Sequence, residues 1–125
     1  MKKIVRDRTI SLIKEYLPEE FATRDRDYYS VKPFSRDTQE GFEYGKERFL
    51  AEAKTLAAFI GNENIVRVYR YFEENGTAYL VMEYVEGITL KEYIEQQGHL
   101  GVKETVHFTM QILRALQHAH DKGII

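Results

Sequence analysis

Cysteine and tryptophan are missing from the 125 residues, and proline occurs only twice. Without cysteine the chain can build neither a disulfide framework nor a thiolate metal site, a composition that fits a reducing compartment. No run approaches the roughly 20 consecutive apolar residues of a membrane-crossing helix, so none is expected. At the N-terminus, Lys2, Lys3, Arg6 and Arg8 are followed by only Ile10, Leu12 and Ile13 before Lys14, too little for the apolar part of a secretory signal. An excess of either charge is also lacking: 18 Lys+Arg face 20 Asp+Glu, for a net charge of -2. That balance gives no chain-wide pull toward nucleic acid or an anionic membrane. The expectation is a soluble, cytoplasmic chain with one core and one site.

What is present alternates between strand and helix patterns. Ile10 to Tyr16 is a short β-like run stopped by Pro18, which places Lys14 on a strand. Residues 18 to about 41 hold both prolines and show no clear period, which predicts an insertion loop with some local packing. From Phe42 the spacing of Phe49, Ala53, Leu56 and Ile60 predicts a helix stopped at Gly61. Val66 to Phe72 and Thr77 to Val85 are β-rich and flank Asn75-Gly76, the dipeptide best suited to a tight hairpin turn. Thr89 and Glu92 suggest a capped short helix closed near Gly98. Between Val102 and Lys122 two apolar stripes run along one long helix, Val102, Val106, Met110, Leu113 and Leu116 on one side, Phe108, Ile112, Ala115 and Ala119 on the other. Such a helix expects neighbours on both sides, and partners beyond residue 125 are expected to supply them.

The order is α+β: a strand with a lysine, an insertion, a helix with a glutamate, a hairpin, then two helices. Ser11-Leu12-Ile13-Lys14 looks like the Val-Ala-Ile-Lys strand of protein kinases, and Phe49 to Leu56, with Glu52 within it, like their αC helix. Asn64 to Val68 and Tyr79 to Gly87 look like the fourth and fifth strands and the hinge, and His120 to Ile125 like the end of helix αE. From about residue 10 onward the chain therefore resembles the eukaryotic-type Ser/Thr protein kinases of bacteria, some of which share the run Glu15-Tyr16-Leu17-Pro18. The resemblance implies a partial N-lobe over residues 1–86, with the insertion at about 18–41, and the start of a C-lobe, helices αD and αE, over 87–125.

It also implies roles. In the family a lysine on the strand binds ATP phosphates and a glutamate of αC holds it, which makes Lys14 and Glu52 the catalytic candidates. Glu52 flanks the apolar stripe, so its carboxylate is expected to face the sheet edge, where lost solvation favours a cationic partner. Met82 takes the position beside the adenine pocket, the Glu83 carbonyl and Val85 amide those that contact adenine, and Gly87 a turn toward the second lobe. Leu12 shares a strand face with Lys14 and stands where the family usually has an alanine over the adenine. Leu56 and Val68 become core residues joining helix to sheet.

The sequence departs from the family pattern in what it omits. It has no Gly-x-Gly-x-x-Gly, and the Arg-Asp pairs starting at Arg6, Arg24, Arg26 and Arg36 do not follow a histidine. It has no Asp-Phe-Gly either, so the family's Mg2+ ligands have no counterpart and the chain alone is not expected to transfer phosphate to protein Ser/Thr. The competing expectation is a non-catalytic interaction module that uses the helix at 102–122 against another kinase chain or a C-lobe. Two further constellations read as ordinary. His118 and His120 are two apart on a helix and point apart, against a metal site. Arg24, Arg26, Tyr28, Tyr29, Lys32, Phe34 and Arg36 interleave cations and aromatics, but Asp25, Asp27 and Asp37 offset them, so a solvated loop is expected over a nucleic-acid site.

Overall fold

The computed structural model describes residues 2–6 and 9–124. By contact the chain divides into two compact units, Met1–Ala58 with Arg67–Tyr84, and Phe59–Val66 with Val85–Ile125.

The first unit carries a four-stranded antiparallel sheet of β1 (Lys2–Arg6), β2 (Thr9–Glu15), β5 (Val68–Glu74) and β6 (Thr77–Glu83), in the order β1-β2-β6-β5. Asn75 and Gly76 turn β5 into β6 at φ 54 and 75, both left-handed, as the dipeptide predicts. The register pairs Leu12 with Met82, Lys14 with Leu80 and Val68 with Met82, and cross-strand partners share a face. Helix α1 (Arg36–Ala57) lies against that face, where Ala53, Val68 and Leu80 are buried with Phe49, Ala57 and Met82 packed around them.

Four details differ from expectation. The segment at 18–41 contains a hairpin of β3 (Ala22–Arg24) and β4 (Val31–Pro33), and α1 starts at Arg36 instead of Phe42. The Thr38 hydroxyl accepts from the Ser35 amide at 3.1 Å and so caps a first turn and a half that is polar throughout. That segment has a core of its own, Ala22, Val31 and Phe42, with Tyr16, Leu17 and Phe21 against it. Leu56, expected in the core, is 36% exposed, because the helix turns Ala53 and Ala57 to the sheet instead. Ile60 lies beyond the end of α1 and is exposed.

The second unit carries α2 (Leu90–Gln97) and α3 (Val102–Asp121). The Thr89 hydroxyl caps α2 by accepting from the Glu92 amide at 3.1 Å, and Gly98 at φ 82 ends it. The Tyr93 hydroxyl donates to the Glu104 carboxylate, and its ring meets Phe108 edge-on at 5.9 Å. Buried Phe59 packs edge-on against His118, whose Nδ1 is 3.0 Å from the Asn62 amide nitrogen. Among the described residues α3 has none buried, and Val102, Val106, Met110, Ile112, Leu113 and Leu116 are all exposed.

Candidate functional site

Period-two alternation along β2 turns Leu12, Lys14 and Tyr16 toward α1, and Ser11, Ile13 and Glu15 to the other face of the sheet. Lys14 is exposed, and its ammonium lies 5.9 Å from the centre of the Phe49 ring. Glu52 is one turn beyond Phe49 on α1 and is also exposed. Among the described residues no salt bridge joins Lys14 to Glu52. Glu52 instead sits with Arg48, Ala51, Thr55 and Leu56 around a shallow depression of about 450 Å³. The Arg48 guanidinium, one turn away, is held above its ordinary pKa by the hydrogen bond it donates to the Tyr44 hydroxyl at 3.3 Å and, less strongly, by the Glu52 charge. The two catalytic candidates are thus on the same side of the sheet, with no ion pair between them among the described residues.

Of the adenine candidates, Met82 lies beside Leu12 across the β2–β6 ladder, so the pair shares the face that carries Lys14. Glu83 ends β6; its amide donates to the Arg67 carbonyl at 2.8 Å and its carboxylate accepts from the Arg67 amide at 3.2 Å. Val85 belongs to the second unit, is 60% exposed, and among the described residues its amide makes no backbone hydrogen bond.

The opposite face of the sheet carries a separate hollow of about 700 Å³ bordered by Ile13, Leu17, Tyr28, Tyr29, Phe72 and Tyr79 among others. Four of its polar side chains, Glu15, Arg24, Asn75 and Tyr79, are joined in one network. Arg24 bridges Glu15 and the Tyr29 carbonyl, and the Tyr79 hydroxyl donates to Glu15 and accepts from Asn75, each at 2.9 Å. Burial holds the Tyr79 phenol above its ordinary pKa, against the lowering by the Asn75 hydrogen bond and with the help of the bond to Glu15. This network ties the residue 18–35 segment to the sheet.

Sequence reasoning passed over three residues next to the candidates. Phe49 enters the sequence pattern only through its helical spacing and the αC-like run, yet its ring lies 5.9 Å from the Lys14 ammonium. Tyr16, two residues after Lys14, donates its hydroxyl to the Phe42 carbonyl at 2.9 Å and packs on Phe42 and Phe49 at 5.2 and 5.7 Å. Gly45 lies against that hydroxyl. The available signal was a glycine inside a helical pattern, which lowers helix propensity and implies a close neighbour.

The family model described as protein kinase domain matches residues 19–125. Glu52, Met82, Glu83 and Val85 fall inside that segment, whereas Leu12 and Lys14 precede it. The chain is 46% identical over 78 residues to the serine/threonine-protein kinase PrkC of Bacillus subtilis, covering 62% of this chain and 12% of that protein. It is 39% identical over 84 residues to the serine/threonine-protein kinase PknA of Mycobacterium tuberculosis, covering 63% of this chain and 19% of that one. A solved structure titled "PpkA-294 apo form" superposes with a TM-score of 0.64 at 36% identity, covering 70% of this chain and 31% of that chain. The chain spans less than a fifth of either curated relative.

Proposed function

Since the chain belongs to the protein kinase domain family, we propose that it is the nucleotide-binding part of a serine/threonine kinase, with Lys14 as the cation for the ATP phosphates. The observation that supports this reading is the shared face of Leu12, Lys14 and Met82, which sets an apolar surface for a base beside a cation for its phosphates. The donor set fits such a ligand. Lys14 has no carboxylate partner among the described residues, and its exposed ammonium, 5.9 Å from the Phe49 ring centre, is accessible to an anion. Glu52 orients that ammonium once the two meet, and the Glu83 carbonyl and Val85 amide hold the adenine edge. Leu12, larger than the alanine usual in the family, narrows the space over the base. When bound, ATP supplies the phosphoryl group that passes to a protein Ser or Thr. Mg2+ ligands and the catalytic base have no match to the family motifs in this sequence, so transfer is assigned to a full-length kinase of cytoplasmic location.

A calorimetric titration with ATP tests the assignment. Lys14→Met is expected to abolish the binding heat, and an unchanged affinity would overturn the role of Lys14. The exposed apolar residues of α3 favour a second reading, binding to another kinase chain without catalysis. Sedimentation of the chain mixed with a homologous kinase domain tests it, a stable complex supporting it and independent boundaries ruling it out.

A further inference from the structure

Helix α1 is held to the sheet along both of its flanks, by different chemistry. On the β5 side Lys46, whose side chain is 15% exposed, bridges Glu43 at 3.1 Å and Glu73 of β5 at 3.2 Å. Burial works to lower the Lys46 pKa, and the two carboxylates together outweigh it and raise it. On the β2 side the close approach is steric. A methyl group at Gly45 would collide with the Tyr16 hydroxyl and stand 3.0 Å from its Cζ. Tyr16 has little freedom to yield, because its hydroxyl is bonded to the Phe42 carbonyl, its ring is packed on Phe42 and Phe49, and its amide donates to Ala78 at 2.9 Å.

Gly45 and Glu52 are seven residues apart, two turns, and so lie on the same flank about 10 Å from one another along the axis. Tyr16, the residue after β2, continues the pairing through its amide bond to Ala78 and lies two residues from Lys14 on the same face, about 7 Å along the chain. Phe49, one turn beyond Gly45, meets both Tyr16 and the Lys14 ammonium, so the flank that touches Tyr16 at Gly45 runs on to Glu52 on the Lys14 side. We infer that the contact of Gly45 with Tyr16 is the positioning device that sets how near Glu52 comes to Lys14. Tyr16 and Gly45 are positioning residues, and the inference rests on the reading of Lys14 and Glu52 as the phosphate-binding pair.

The absence of cysteine makes the test direct, because a pair introduced at Lys14→Cys and Glu52→Cys has no competing thiol. The rate at which this pair closes to a disulfide under mild oxidant in the full chain reports the approach of the two positions. Adding Gly45→Ala is expected to slow closure, and adding Tyr16→Phe to that variant is expected to restore it by removing the colliding oxygen. A purely destabilising effect predicts the reverse, since Tyr16→Phe also loses a hydrogen bond and would add to the damage. Unchanged closure in Gly45→Ala, or no recovery on adding Tyr16→Phe, overturns the inference. If Gly45→Ala alone fails to fold by circular dichroism, Tyr16→Phe by itself is read instead: faster closure supports the inference and an unchanged rate overturns it. ATP titration of Lys14→Met is a separate measurement, so failure of the nucleotide reading leaves the closure result standing as a statement about α1 alone.

Discussion

At the scale of single residues, the decisive contacts are those that a short polar side chain makes with buried main chain. Thr77 is 1% exposed, and its hydroxyl donates to the Tyr16 carbonyl, 61 residues away in sequence. Thr77→Val keeps the shape and removes the donor, leaving that carbonyl without this partner in a site with little access to water. The expected loss is about 1–3 kcal/mol of stability, read as a lower urea midpoint at unchanged m-value. Tyr16 is the residue through which this loss would spread, because the same residue holds Phe42, Phe49 and Gly45. Burial, with the nearby Glu43 carboxylate, pushes its phenol above the ordinary value, so it stays a neutral donor to Phe42 across the physiological range.

At the scale of elements, the hairpin and the segment at 18–35 hold each other. The Val31 amide donates to the Asn75 carbonyl at 2.8 Å, and Gly76 follows at φ 75 with its missing Cβ position 2.5 Å from the Val31 carbonyl oxygen. Gly76→Ala therefore combines a left-handed penalty of about 1–2 kcal/mol with a collision against backbone that has no side chain to move. The expected result is a loss greater than the conformational penalty alone, together with faster amide exchange at Val31, which hydrogen-exchange NMR would resolve. The Asn75-Gly76 turn was legible because one dipeptide dictates its φ angles. The β3–β4 hairpin was not, because three-residue strands are too short to show a period, and its packing comes from Phe42 of α1. The start of α1 escaped for a related reason: residues 36–41 carry no apolar stripe, and only the Thr38 cap marks the boundary.

At the scale of the whole molecule, the family was legible from the order of several motifs, and the geometry of its lysine and glutamate was not. Sequence placed Glu52 on the flank of an apolar stripe, and that is where it lies, but only the packing of Phe49 and Tyr16 determines what stands next to Lys14. The stripes of α3 were equally plain in sequence, and in the structure Val106 and Leu113 stay 56% and 51% exposed. Val106→Glu with Leu113→Glu is expected to change stability by no more than about 0.5 kcal/mol while weakening any concentration-dependent association seen in sedimentation velocity. Unaltered association would mean that this stripe is not the contacting surface.

The central pairing of the sheet has a consequence for the time course of folding. Strand β2 pairs with β6, and the Tyr79 hydroxyl bond to Glu15 spans 64 residues of chain, whereas β5 and β6 are joined by a two-residue turn. The hairpin can close in about 1–10 μs, but β2 can dock only after a long loop has lost its freedom, which makes its docking the slow step. During that interval β6 presents an unpaired edge, the moment at which a second nascent chain could take the place reserved for β2.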